Sequence, residues 1–432
     1  MIQNLKILLA KAVHFFYKHQ FDKIQIIIES INVELLDKKQ ASEFVKFQKL
    51  FSLGQLLGLT TLHAILEIHG IKSNNIQKKY SFLCKTLTHN KLHKIQEYLF
   101  AEQLKSKLEE LASQSESEWS KSNVTVVGDA SVFKQNLNKE QHDNDYYSSW
   151  FSGQYHTTVT GFKILTLGVV ISGIFYPLYY EFIGKKNDKE KELFCKLLKK
   201  FKFFWEEIQK KHAILPKKLH LSCDNGYSCK EIVESCDSNN LILLSVPKKN
   251  NLFKINNISK PLNQWIETEY LEKEKAFLSK QNTENKEKIN LKFTLRIKAY
   301  YKALGIEVLL LFFRYNHSEK VTVIYCPVIQ SPNIFAKTMR HHWFSRTQIE
   351  QFFRTVKHIL KIQEVKSQTK IEMDIKLGRF LGLALDAQLF TKYLKKTCKV
   401  LKNAGFKQII KHIIFNLNKL EELENLLVNE FN

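Results

Sequence analysis

The longest apolar stretch of the chain, Ile164 to Tyr180, limits what the chain can fold into more than any other feature. It is shorter than the roughly 20 residues that cross a bilayer as a helix, and Ser172-Gly173 and Pro177 interrupt it. The residues on the two sides of the Ser-Gly pair, FKILTLGVVI and IFYPLYYEF, are typical of buried strands. We therefore predict two central strands joined by a turn, and no membrane span.

The residues around these two strands alternate between strand and helix patterns. Strands are predicted at NVTVVGD, KLHLSC and LILLSVP, and helices from about Lys189 to His212 and at SCKEIVESC. Strands followed by alternating helices and strands are typical of an α/β layer built on a mixed sheet. Three further strand patterns, KFTLRIKAYYKAL, EVLLLFFRYN and KVTVIYCP, predict a β-rich insertion before the next helix.

Changes in periodicity divide the chain into five predicted segments. These are an all-helical N-terminal domain (1–112), the first part of the α/β core (123–247), the β-rich insertion (248–335), the remaining core helices (336–395) and C-terminal helices (396–432). Within the first segment, FSLGQLLGLTTLHAILEIHGI is compatible with a helix-turn-helix, although its weak turn signal favours simple helix packing.

The charge of the chain points to a polyanionic partner. Lysine and arginine number 66 against 43 acids, which leaves a net charge of +23. Nucleic acid is favoured over an anionic membrane surface, although abundant lysine can also reflect a compositional bias.

The seven cysteines do not form a recognisable framework. They lack the density of a secreted disulfide scaffold, and no C-x2-C pair accompanies Cys223, Cys229, Cys236 and the nearby His220. We therefore expect unligated thiols, no structural metal and a reducing, cytoplasmic location.

Two acids follow predicted strands directly. Asp129 comes after VTVVG, and Asp224 comes after LHLSC. Active sites of α/β proteins form where strands leave the sheet, although an isolated Asp at such a place is also common turn chemistry. Asp143, Asp145 and Asp237 are weaker candidates, because they lie in turn-like or helix-end contexts.

A third acid lies in the predicted helix HHWFSRTQIEQFFRTVKHIL, residues 341–360. At about 100° per residue, Trp343, Arg346, Glu350 and Lys357 fall within about 60° of one another, beside an apolar face. On the simplest interpretation this strip is a solvated surface, where an Arg346–Glu350 pair contributes about 0.3 kcal/mol.

Convergence of these three acids would change that interpretation. Carboxylates at one place repel one another unless a hard cation such as Mg²⁺ neutralises them. Two such ions about 4 Å apart activate an attacking oxygen and stabilise a leaving oxygen on phosphorus. Glu350 would then complete a metal site, and Arg346 and Lys357 would contact the phosphates of a substrate.

These residues resemble a known family, the DDE transposases of bacterial insertion sequences. The branch with the signature Y-x2-R-x3-E-x6-K is matched as Trp343-x2-Arg346-x3-Glu350-x6-Lys357 with every spacing kept, and CDNGY and VVGDAS match the segments of its two aspartates. The resemblance covers about 123–395. It implies an RNase H-like mixed sheet flanked by helices, with the β-rich insertion before the glutamate helix.

The resemblance also implies a site and its partners. Asp129, Asp224 and Glu350 would hold two Mg²⁺ or Mn²⁺ ions and catalyse hydrolysis at transposon ends, followed by strand transfer to target DNA. The expected partners are double-stranded DNA and a second copy of the chain on paired ends, in the cytoplasm at the nucleoid. The N-terminal domain would bind the DNA ends. By position in the signature, Trp343, Arg346 and Lys357 would contact the DNA. The basic residues Arg354 and Lys361, which flank the site and are not part of the signature, are expected to line the DNA path.

Trp343 is the one departure from the signature. An indole can stack on a base, but it lacks the phenolic oxygen of tyrosine. Two alternatives stay open on sequence alone: a catalytically inactive DNA-binding descendant of such an enzyme, and a related nuclease without strand transfer.

Overall fold

The computed structural model describes ten stretches of the chain. They are 89–113, 124–135, 146–152, 156–184, 189–212, 214–279, 293–314, 320–360, 362–364 and 370–397. The helix-turn-helix alternative at 51–71 and most of the predicted C-terminal helices lie outside these stretches. The described part of the N-terminal segment is one helix, α1 (His89–Ala112).

A six-stranded mixed sheet forms the centre of the fold, and the mixed α/β prediction is confirmed. Its strands are β1 (Thr125–Lys134), β2 (Tyr147–Ser152), β3 (Thr157–Ile171), β4 (Ile174–Phe182), β5 (Leu219–Ser222) and β6 (Leu241–Leu244). The order β2-β3-β1-β5-β6 is completed by β4, which pairs with β3. β1 is antiparallel to β3 and parallel to β5, and β5 is parallel to β6.

The two apolar strands predicted from sequence are β3 and β4. Ser172 and Gly173 connect them with φ angles of 49° and 80°, which a tight hairpin turn requires at both central positions. The glycine supplies one of these without steric cost. Apart from the exposed turn and the exposed start of β3, the two strands are largely buried, as expected for the centre of a sheet.

Helices cover both faces of this sheet. α2 (Glu190–Lys211) and α3 (Lys230–Ser238) pack together, and α2 lies so close to β1 that a Cβ on Gly128 would be 2.3 Å from the Phe194 ring. The other face of β1 carries α6 (Ala336–Arg354). A π-helical turn, Thr355–Ile359, and a 3-10 turn, Ile362–Glu364, separate α6 from α7 (Lys370–Thr397).

The insertion forms a second, antiparallel sheet of order β11-β10-β9-β7-β8. Its strands are β7 (Leu252–Ile255), β8 (Ile258–Pro261), β9 (Thr294–Tyr301), β10 (Ile306–Arg314) and β11 (Val321–Pro327). A helical run follows β8 as α4 (Leu262–Trp265), a π turn (Ile266–Leu271) and α5 (Glu272–Ser279).

The three strand patterns predicted for the insertion leave out its start, where the structure has the two short strands β7 and β8. Asn256 and Asn257 have φ angles of 47° and 66° and turn β7 into β8. Asparagine tolerates this conformation, so the Asn-Asn pair between two short alternating runs was the missed hairpin signal.

The insertion sheet packs against α6. Alternate residues of β10 enter two apolar clusters, and one of these, with Leu309, Leu311 and Phe313, also contains Met339 and Trp343 of α6. The described helices include none that is long and apolar enough to cross a membrane.

Candidate active site

Asp129 lies in the middle of β1, not at the end of a strand as predicted. β1 continues to Lys134 because the residues after Asp129 still pair with β3, whereas the neighbouring β5 ends at Ser222. The last pair between β1 and β5 is Val127 with Ser222. Asp129 therefore lies beyond the end of β5, where β1 no longer pairs with that strand.

Asp224 is the corresponding residue on β5. Asp129 and Asp224 each follow the last β1–β5 pair by two residues, so both lie just beyond the carboxyl end of the parallel pairing. Asp224 begins a 3-10 turn, Asn225–Tyr227, and its Oδ1 accepts a hydrogen bond of 2.8 Å from the Gly226 amide. One carboxylate oxygen of Asp224 therefore stabilises the turn.

α6 runs along β1 in the same direction as the strand. Thr125 Oγ1 lies 2.6 Å from His342 Nδ1, and further along, the Phe133 ring lies 6.0 Å from that of Phe353. Asp129 is midway between these two strand residues on the same face, because side chains of a strand alternate. It therefore faces the middle of α6, where Arg346 and Glu350 lie.

The charges of neighbouring groups act on Asp129 and Lys357. Partial burial, followed by the charge of Asp224, raises the pKa of Asp129 to about 7; Glu350 adds to this and Arg346 opposes it. Desolvation lowers the pKa of Lys357 to about 8, against the attraction of Asp129. Asp129 thus interacts electrostatically with the other two predicted acids and with two of the predicted cations, Arg346 and Lys357.

The four residues predicted to share one polar strip of the helix do not all lie at its exposed surface. Trp343 is 7% exposed and packs in the apolar cluster, so its ring is not displayed beside the polar residues. The Arg346 guanidinium carbon lies 5.2 Å from the centre of that ring, and Arg346 also pairs with Glu350. The insertion sheet covers this side of α6, and the sequence of the helix alone does not show this.

The remaining predicted contacts have different surroundings. Lys357 lies in the π turn, with Nζ 5.3 Å from the centre of the Phe133 ring, and Arg354 is exposed at the end of α6. Lys361 lies outside the described residues, as do the alternative acids Asp143 and Asp145. Asp237 is exposed near the end of α3, away from β1 and β5.

The donor set fits a hard divalent cation in chemistry. It consists of carboxylate oxygens, which Mg²⁺ and Mn²⁺ prefer. The oxygens of the three acids do not all lie within 4.8 Å of one another, and Glu350 is held by Arg346. The three residues fit such an ion by their chemistry, and Glu350 would leave its pair with Arg346 to complete the site.

Two buried hydroxyls beside Asp129 were missed in the sequence. Thr166 is paired with Asp129 on β3, and Ser222 is two residues before Asp224. Both are fully buried, and neither hydroxyl has a hydrogen-bond partner among the described residues. A threonine inside the apolar run FKILTLGVVI was the available signal.

A second missed group holds the Asp224 turn. Ser245 Oγ donates a hydrogen bond of 2.8 Å to the Asp224 carbonyl, and Ser245 is bridged through its backbone to Tyr325 on β11. Tyr325 Oη lies 2.8 Å from Ser228 Oγ, just after the turn. The insertion sheet is therefore connected directly to the segment that carries Asp224.

Comparisons with known proteins add little to this geometry. No protein family profile matches the chain, and no curated protein matches it. Among solved structures, the chain is similar to a piggyBac transposase in a synaptic complex with hairpin DNA, determined by cryo-EM. The TM-score is 0.43 and the identity 8%, over 98% of this chain and 84% of that chain. A similarity this weak carries no functional conclusion.

Proposed function

We propose that the chain is a DDE transposase that binds DNA and cleaves and joins phosphodiester bonds with Asp129, Asp224 and Glu350. The observation that carries this proposal is that Asp129 and Asp224 both lie just beyond the end of the β1–β5 pairing, and that Asp129 faces the middle of α6, which carries Glu350. The pKa of Asp129, raised by burial and by the charges of Asp224 and Glu350, agrees with this, because perturbed pKa values cluster at functional sites.

The order of the central sheet supports an RNase H-like assignment. Strands β4, β3 and β1 are antiparallel neighbours, and β5 and β6 continue the sheet parallel to β1. On this assignment α6 is the helix that brings the last acid to the site. The insertion before α6 occupies the position expected from the resemblance.

The three carboxylates would hold two Mg²⁺ or Mn²⁺ ions. When bound, the ions activate an attacking oxygen and stabilise the leaving oxygen of the phosphodiester. In this proposal the sheet holds Asp129 and Asp224, and α6 would bring Glu350 to them. Arg346 and Lys357 would contact DNA phosphates, and Arg346 would do so as a bidentate donor.

The role of Trp343 is revised in this proposal. Its ring is packed against the insertion sheet and lies under Arg346. We expect it to orient the guanidinium toward a phosphate, not to stack on a base. A second copy of the chain on paired DNA ends remains part of the proposal on the strength of the resemblance. DNA-end binding by 1–112, which the resemblance does not cover, also remains part of it.

Metal-dependent cleavage is the first test. Labelled DNA carrying the ends of the genetic element that encodes the chain is incubated with Mg²⁺ or Mn²⁺ and either wild type, Glu350→Gln or Glu350→Ala. Glu234→Gln is the matched control, because Glu234 also forms an i,i+4 pair with a cation, Lys230, on an exposed helix.

Wild type and Glu234→Gln should nick the DNA at the element boundary, while both Glu350 variants bind it without cutting. Binding by wild type with no cut under either metal would mean that the chain is a DNA-binding protein only. Cleavage by wild type without joining of the cut end to a target plasmid would identify a nuclease instead.

A further inference from the structure

A separate group of ligand-type side chains lies away from the three acids, around α1. His93 and Glu97 are one turn apart on α1, and Glu181 is near the end of β4. Their nearest ligand atoms, His93 Nε2 and one oxygen of each glutamate, all lie within 4.8 Å of one another. In the part of the chain that the structure describes, no other three such side chains are this close.

We propose that His93, Glu97 and Glu181 bind a Zn²⁺ ion. His93 Nε2 lies 3.3 Å from Glu97 Oε1 and 3.7 Å from Glu181 Oε1. Ligands about 2.0–2.1 Å from a tetrahedral zinc are about 3.3–3.4 Å apart, so the two separations from His93 are close to those of tetrahedral corners. The two glutamate oxygens lie within 4.8 Å of each other. One imidazole and two carboxylates are a ligand set that zinc accepts.

The orientation of the imidazole supports this proposal independently of the spacing. Nε2 faces the two glutamates, and Nδ1 lies 3.8 Å from Asp374 Oδ1 on α7. Tyr180 Oη donates a hydrogen bond of 2.5 Å to the same Asp374 oxygen. A carboxylate behind the ring of a metal-ligating histidine fixes its tautomer and orientation, and this arrangement recurs in zinc sites.

The ammonium of Lys200 on α2 would compete with the zinc ion for the two glutamates. Its Nζ lies 3.0 Å from Glu97 Oε1 and 3.5 Å from Glu181 Oε1, so the ammonium takes the place of a fourth corner. The lysine side chain is 42% exposed, whereas those of His93 and Glu97 are 10% and 15% exposed. The fourth corner therefore opens to solvent, and the flexible lysine can leave it to a water molecule.

The charges of the group match a divalent ion. Burial lowers the pKa of His93, but hydrogen bonds to Asp374, Glu181 and Glu97 outweigh this effect and raise the pKa to about 11, so without metal the ring carries a proton. Zn²⁺ would replace that proton, and with the ammonium of Lys200 still nearby it would bring the three carboxylates to neutrality. The ion would join α1, β4 and, through Asp374, α7. This structural role is independent of the three acids at Asp129, and the site does not depend on the proposed function.

The experiment uses the full chain, stripped of metal and titrated with Zn²⁺ against a chromogenic chelator in excess Mg²⁺. Wild type should bind one zinc, with only nitrogen and oxygen ligands in its X-ray absorption spectrum, which excludes the thiols. Glu97→Gln and Glu181→Gln should each weaken binding beyond the about 10–100-fold that loss of an outer partner costs. Asp129→Asn, at the proposed active site, should bind zinc as wild type does.

Lys200→Met separates a zinc site from a simple network of ion pairs. Removal of the competing charge should tighten zinc binding about 10-fold, whereas Lys199→Met, an exposed neighbour on α2, should change nothing. If wild type binds no zinc, or if none of these substitutions alters its zinc affinity, the group is an ion-pair network only and the proposal is wrong.

Discussion

Thr166 lies directly opposite Asp129 in the pairing of β3 with β1, and its fully buried hydroxyl has no hydrogen-bond partner among the described residues. Directly opposed side chains have Cβ atoms about 4.5–5.5 Å apart. A rotation about the side-chain bonds of Asp129 therefore brings its carboxylate within reach of this hydroxyl. We infer that Thr166 positions Asp129 when the site is occupied.

Replacement of Thr166 by valine should make the protein more stable and less active. An unsatisfied buried hydroxyl costs about 1–3 kcal/mol, and the methyl group removes this cost, so the free energy of unfolding should rise by about 1 kcal/mol. DNA cleavage should fall, because Asp129 loses a positioning partner. Urea denaturation and the cleavage assay measure the two effects.

Thr125→Val is the matched control on the same face of the sheet. Its hydroxyl lies 2.6 Å from His342 Nδ1 and 3.2 Å from Ser345 Oγ, so its removal should lower the free energy of unfolding by about 1 kcal/mol. If Thr166→Val is destabilising by the same amount as Thr125→Val, the Thr166 hydroxyl has a partner in the folded protein and the inference is wrong.

The stacked pair His220–His342 should make stability depend on pH. The two rings are 3.9 Å apart at 16° between β5 and α6, and burial lowers the pKa of His220 to about 4 and that of His342 to about 3. An unfolded histidine has a pKa of about 6.5. Below that value the unfolded chain binds more protons, so stability is complete above about pH 6.5 and falls as the pH drops toward 4 and 3.

His220→Phe tests this dependence. It keeps an aromatic ring in the stack and removes one titrating group, so the loss of unfolding free energy between pH 7 and pH 4.5 should be smaller than in wild type. His156→Asn, at an exposed position with positive φ that asparagine tolerates, should leave the wild-type profile unchanged. If the unfolding free energy of His220→Phe depends on pH as it does in wild type, groups other than His220 cause the loss of stability at low pH.

The hydroxyl of Tyr325 should matter for catalysis more than for stability. Tyr325→Phe removes the contact with Ser228 and frees one side of the turn that carries Asp224. We expect DNA cleavage to fall about 10-fold, as for loss of an outer partner of a metal ligand, with DNA affinity unchanged. Tyr300→Phe, exposed on β9 of the same sheet, is the control. Equal losses in both variants would contradict a specific role for Tyr325.

Local pattern was sufficient for much of the fold. The β3–β4 hairpin follows from two apolar runs around Ser172-Gly173, and α2 and α6 follow from helical periodicity. The three acids could be selected because two follow strand patterns and one interrupts a basic helix face. These signals come from residues close together in the sequence, so they can be recognised without knowledge of the tertiary structure.

Other features depended on contacts that no local pattern contains. The burial of Trp343 follows from the insertion sheet, which closes over α6 from another part of the chain. Asp129 lies inside a strand because β1 and β5 have different lengths, and only their pairing shows where β5 ends. The group around His93 joins residues 93, 181 and 374, and the cysteine pattern used to look for metals could not find it.

DNA binding should depend strongly on salt through the cations of α6. Each phosphate contact that is lost reduces the slope of log K against log salt by about 0.9. Arg354→Gln, at the exposed end of α6, should reduce the slope by about one contact. Lys210→Gln, an exposed cation on α2 at the opposite face of the sheet, has the same formal change of charge and should leave the slope unchanged. Equal changes in the two variants would mean that net charge alone attracts the DNA, and α6 would then not lie along the DNA path.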